Sequence, residues 1–194
     1  GIGPLIGTSI DASAYTIVVW RLLLAVPIMV AVAKLTGGAV DRWMLRRAFG
    51  PGVLFGGSLL AAFASFKTTS IANATLIGAM IPVLVLLVAP KLFGEHVRPI
   101  QLGFSAVAML GIVLVVVSGD SRSGSSLTGD LLAVLDLVLF AIYFLWMKRE
   151  RDRGAHSWSL IAAVFVVAAA VVVPVCALLS DDLGAIRGFD VGWV

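Results

Sequence analysis

Two ionisable side chains sit inside otherwise apolar stretches of this sequence. Arg21 interrupts YTIVVWRLLLAVPIMVAVAK, and Asp136 interrupts GDLLAVLDLVLFAIYFLWMK. At the centre of a membrane helix either group costs roughly 2.5–3.5 kcal/mol, and less toward the ends. Arg21 lies six residues past Tyr15, and Asp136 seven past Gly129. On two helices running the same way, the helical rise puts both about 9–10 Å below one membrane boundary. Opposite charges in one layer can pair when their helices are neighbours, and pairing relieves both costs. The expectation is that Arg21 is held by Asp136 or by carbonyls around a polar cavity. The plainer alternative is that Arg21 snorkels outward along its own stem, which its off-centre depth permits.

A second group of candidates carries no charge. In IANATLIGAMIPVLV, Thr75, Gly78, Ala79 and Pro82 follow i, i+3, i+4, i+7 spacing and share one helix face. Pro82 in a helix interior leaves the Gly78 carbonyl without its usual donor. Unpaired backbone at membrane depth is tolerated only against protein or a water-filled cavity, so this face is expected to point inward. Asn73 falls on the opposite side, near the helix end. Pro27 and Pro174 are similar interior prolines that a packing kink explains.

Gly57, Ala61 and Ser65 recur every fourth residue, and Gly52 with Gly56 adds a GxxxG. Small residues in such rows let another helix approach closely, and a helix contact without ligand is the simpler account. Tyr143, one turn deeper than Trp146, is the aromatic best placed to line a cavity. Trp43, Trp146, Trp158 and Tyr15 fit interfacial belts. His96 and His156 stand alone in loops, without metal-ligand spacing. Cys176 is the single cysteine and can form no internal disulfide. No metal or cofactor is expected.

The elements that must position these residues follow from composition. Of 194 residues, 60% are hydrophobic and only 13% charged, whereas soluble domains sit nearer half and a quarter. So short a chain cannot bury that much oil in its own interior. Six stretches reach or approach the ~20 residues that span a bilayer: 13–35, 51–66, 71–93, 100–118, 129–147 and 157–179. The fold class is an all-α integral membrane bundle. None of these blocks reads as a removable signal peptide. GIGPLIGTSI looks like the tail of an earlier span and FDVGWV stops in mid-loop, so a piece of a longer protein is expected.

The net charge of +3 does not point to nucleic acid. Loops placed alternately on two sides put Lys34, Arg42, Arg46, Arg47, Lys91, Arg98, Lys148, Arg149, Arg151 and Arg153 on one side, and Lys67, Arg122 and Arg187 on the other. That asymmetry marks the first side as cytoplasmic. TGGAVDRWMLRRAFG is then an inner loop, with Pro51 opening the next helix as Pro99 opens another. The polar run SGDSRSGSSLTGD forms an extracytoplasmic linker. It separates a first helical unit, residues 1–119, from the start of a second, residues 129–194, with 120–128 between them.

These features meet in a known pattern. FASFKTTSIANATLIGAMIPVLVLLVAPKLFGEHVRPIQLGFSAVAMLGIVLVVVSGD resembles the EamA-type domain of the drug/metabolite transporter superfamily. The shared features are a small-residue helix end, the polar turn from Lys67 to Ser70, Pro82 after a small apolar run, the Gly94–Glu95 turn, and a glycine-bearing span ending in V-V-S-G. WRLLLA around Arg21 is similar to that family's arginine-bearing second helix. The resemblance implies a ten-helix carrier of two inverted five-helix repeats, moving small metabolites or drugs across the cell membrane. On that mapping the chain holds the end of helix one and helices two to seven, so this piece alone is not expected to transport. Arg98, three residues after Glu95, makes a cap or local ion pair the simpler role for that acid.

A secondary transporter, an exporter or exchanger working by alternating access, is therefore the leading expectation. No G-x-x-x-x-G-K-[ST] run supplies ATP chemistry. Proton coupling through Asp136 is compatible with the sequence, although a paired aspartate can be purely structural. An intramembrane enzyme would need convergent acids, histidines or a nucleophile with its base, and the spans offer one aspartate and no histidine. A non-transporting anchor or assembly protein is the other alternative. The cavity candidates are Arg21, Ser65, Thr75, Gly78, Pro82, Asp136 and Tyr143, with a small-molecule solute and the lipid bilayer as partners.

Overall fold

The computed structural model describes residues 14–94, 99–100, 103–107, 110–111 and 126–179. Among the described residues the main elements are six α-helices: α1 (Ala14–Leu35), α2 (Arg42–Thr68), α3 (Ile71–Gly78), α4 (Ile81–Phe93), α5 (Leu127–Asp152) and α6 (Ser157–Leu179). No strand occurs among the described residues. Among the described residues, five stretches are long and apolar enough to cross a membrane: Val18–Leu35, Arg42–Thr68, Asn73–Pro90, Leu127–Asp152 and Ser157–Leu178. They coincide with five of the six expected spans. Most of the sixth, 100–118, lies outside the described residues, as do Glu95, His96 and Arg98. Large apolar side chains such as Leu24, Ile28 and Leu178 stand exposed, which suits a surface solvated by lipid.

Two boundaries differ from the expectation. The helix expected to open at Pro51 starts nine residues earlier, at Arg42. Asp41 caps it, accepting from the Met44 N–H at 2.8 Å, so one of the unpaired donors of the first turn is satisfied. Arginine, leucine, methionine and alanine are good helix formers, and the helix simply continues beyond the oily stretch. Pro51 is consequently in the helix interior, where it is fully buried.

The second difference is at Pro82. The span expected as one helix is two, α3 and α4, interrupted at residues 79–80. Ala79 caps α3, its N–H reaching the Thr75 carbonyl at 2.9 Å, and Met80 donates to the Ile77 carbonyl at 3.0 Å. Pro82 then falls in the first turn of α4, where a missing N–H costs little. The Gly78 carbonyl would have lacked its donor in either arrangement, so the chain breaks where an unbroken ladder would already have been defective.

The chain divides into two compact units, Gly1–Gly56 with His156–Val194, and Gly57–Ala155. In the first, α1 packs on α6, burying Val18, Val19, Leu22, Leu160 and Val164. The first half of α2 joins them. A Cβ at Gly52 would lie 2.6 Å from the Val167 side chain, and one at Gly56 3.1 Å from Val172, so this GxxxG is a seat for α6. Phe55 meets Phe165 with ring centroids 5.3 Å apart. Gly38 lets the α1–α2 turn close onto Ser159 and the His156 ring. His156 is exposed, as a loop histidine should be, and its Nδ1 also meets the Ser159 hydroxyl at 3.1 Å.

In the second unit α5 packs against α3 and α4, and the second half of α2 runs antiparallel to it. Gly57 faces Leu139, and Gly129 faces Thr68 and Thr69, so partners on α5 fall in number as those on α2 rise. Ala61 and Ser65 are buried, in keeping with the small-residue row. At the opposite end, Lys148 lies 4.7 Å over the Phe93 ring, and buried Glu150 pairs with Arg153 at 3.2 Å.

Candidate functional site

The polar residues of the second unit gather along the contact between α2 and α5 and at the interruption of the α3–α4 span. Asp136 is half-buried, about 14 Å along α5 from its first residue. The Ser58 hydroxyl hydrogen-bonds its carboxyl group, and Ser58 itself is 1% exposed. A buried carboxyl group needs such a donor, because an unpaired polar atom at this depth has no water to turn to. Tyr143 follows two helical turns after Asp136 on the same face of α5. Its ring is half-buried, edge-on to Phe140 with centroids 5.4 Å apart.

Ser58 was not among the expected residues, yet a signal for it exists. Ser58 and Ser65 fall on one line of α2 by helical period, which Thr69 continues one residue past the helix end, and all three are buried. Ser65, a cavity candidate, spends its hydroxyl proton on the Ala62 carbonyl of its own helix at 2.8 Å. Thr69 reaches across to Asp130 at 2.6 Å.

That bond belongs to a polar clasp at the expected extracytoplasmic end. The Asp130 carboxylate accepts from the Thr69 hydroxyl and, at 3.5 Å, from the Asn73 amide. The Ser126 hydroxyl donates to the Thr68 carbonyl and caps α5 by accepting from the Gly129 N–H at 3.1 Å. Ser70 caps α3 through the Asn73 N–H at 3.1 Å. Gly129 makes the closure possible, since a Cβ there would sit 2.6 Å from Thr68 and Thr69 backbone atoms. Asn73 and Asp130, expected at an interface and in a linker, are thus joined across α3 and α5.

The interruption is open. Thr75 and Pro82 are exposed, and no described residue comes within 4 Å of a Cβ built on Gly78. Two helix ends with backbone groups outside the regular ladder meet there, next to α5. Arg21 is on α1 in the first unit and exposed; Asp136 is in the second. No group of three or more metal-ligating side chains occurs among the described residues.

The first 117 residues match the EamA-like transporter family. A protein of known crystal structure shares the fold with a TM-score of 0.69 at 20% identity, the match covering 87% of this chain and 59% of that one. No curated protein matches the chain.

Proposed function

The chain belongs to the EamA-like transporter family, within the drug/metabolite transporter superfamily, and from that premise we propose that the protein is a secondary carrier of a small organic solute. It works by alternating access in the cytoplasmic membrane, as an exporter or exchanger, in a ten-helix assembly of two inverted five-helix repeats. One observation carries the reading beyond the family. The α3–α4 span is interrupted in mid-sequence and no described residue fills its break, the arrangement by which discontinuous membrane helices offer backbone groups to a solute near the midplane.

The solute-facing residues we assign are Thr75, Gly78 and Pro82 at the break, with Asp136 and Tyr143 on α5. Asp136, held by Ser58, is the group we assign to a cationic part of the solute or to a coupling proton. Arg21 is its proposed counter-charge. Ser65, on α2 with Ser58, has its proton already committed to the Ala62 carbonyl. Transport, rather than bond-making chemistry, suits a set with one in-span acid and no partner base.

The test is a solute screen of the full-length protein in proteoliposomes, with Asp136→Asn as control. Solute-dependent flux that falls at least tenfold in the variant is the expected result. A folded protein that moves no member of a broad library of amines, amino acids and sugars removes the proposal.

A further inference from the structure

We infer that the first nine residues of α2 form a docking face for anionic phospholipid headgroups on the basic side of the membrane. At 27 residues the helix is about 40 Å long, against a hydrocarbon core of about 30 Å. Residues 51–68 are enough to fill that core. Residues 42–50 add about 13 Å and lie in the headgroup layer.

This segment is two-faced. Met44 and Ala48 are buried, while Arg42, Trp43, Arg46 and Phe49 are exposed around the opposite side. Arg47 lies over the Trp43 ring, 4.4 Å from its centroid. Aromatic rings of this kind settle at the boundary between headgroups and acyl chains, and guanidinium forks match phosphate oxygens two at a time. The residues are also held rather than dangling. Asp41 caps the helix, and Gly52, just beyond the segment, presses it against Val167. Arg42 and Arg46 are therefore presented to the layer where lipid phosphates lie. Zwitterionic lipid offers the same phosphate with a compensating cation, so the charge excess selects phosphatidylglycerol-type lipids.

The full-length protein reconstituted with brominated phosphatidylglycerol or brominated phosphatidylcholine tests this through tryptophan quenching. The Trp43 signal is the difference between the wild type and Trp43→Phe. Near-surface basic residues are worth roughly fivefold each in lipid preference. Wild type is expected to favour phosphatidylglycerol at Trp43 by at least that factor, and 0.5 M salt to reduce the preference. Arg42→Gln/Arg46→Gln should bring it to about one with unchanged unfolding temperature, and Arg42→Lys/Arg46→Lys should fall between. Equal quenching by both lipids in the wild type, or a preference that survives the double glutamine variant, overturns the inference. If that variant fails to fold, the salt dependence in the wild type decides: a preference insensitive to salt overturns it. Because the readout needs only an inserted helix, it stands or falls separately from solute transport.

Discussion

The buried hydroxyls along α2 and just past its end are the residues on which the second unit closes. Thr69 is 6% exposed and gives its proton to Asp130. A hydrogen bond to a charged group contributes about 1.5–3 kcal/mol, so Thr69→Val should lower the unfolding temperature by a cost of that order. Asn73→Ala should cost less, because 3.5 Å is the limit of useful geometry. Equal losses in thermal unfolding would show that the clasp is not what Thr69 contributes. The proposed pairing of Arg21 with Asp136 makes its own prediction. Arg21→Leu and Asp136→Leu should each impair flux, and the double variant should be less impaired than the sum of the two. Strict additivity removes the pairing. That Asp136 sits within a long apolar helix was legible from hydropathy alone, since a charge in oil announces itself. Its partner Ser58 was not, because that bond joins positions 78 residues apart and depends on the register of two helices.

At the scale of elements, close approach is what the glycines supply. Gly52→Ala would push a methyl to within 2.6 Å of the Val167 side chain and 3.2 Å of the Val164 carbonyl. The side chain can be trimmed, whereas the carbonyl can only shift slightly. Overpacking of this kind costs about 1–3 kcal/mol; Val167→Ala in the same protein removes the Cγ atoms but keeps the equally close Cβ, so it should recover only part of that cost. Thermal unfolding of the single and double variants measures both effects, and a double variant no better than Gly52→Ala would place the seat of α6 elsewhere. The helices themselves were legible wherever the apolar run was long. The start of α2 was not, because counting oil locates only the part of a helix that lies in lipid. Its basic first turns look like a loop until Asp41 is recognised as a cap. The break after Gly78 was hidden for the opposite reason. Periodicity continues through GAMIP, and only the placement of Pro82 in a first turn distinguishes two helices from one kinked helix.

At the scale of the whole molecule, sidedness is the property on which the transport and lipid readings both depend. Thr128 and Arg149 are exposed near opposite ends of α5. Their 21-residue separation amounts to about 32 Å, close to the thickness of the hydrocarbon core. Arg46, at the start of α2, is exposed as well, and the loop charges put it on the same side as Arg149. Native Cys176 is fully buried, so a single introduced cysteine dominates labelling by a membrane-impermeant maleimide. Arg46→Cys and Arg149→Cys should react from one face of oriented vesicles, and Thr128→Cys only from the other. If Thr128→Cys and Arg149→Cys label from the same face, α5 does not cross, and the charge asymmetry has another cause. If they label from opposite faces but Arg46→Cys sides with Thr128→Cys, the spans between α2 and α5 are odd where an even count is needed. The membrane topology then fails while each helix stands.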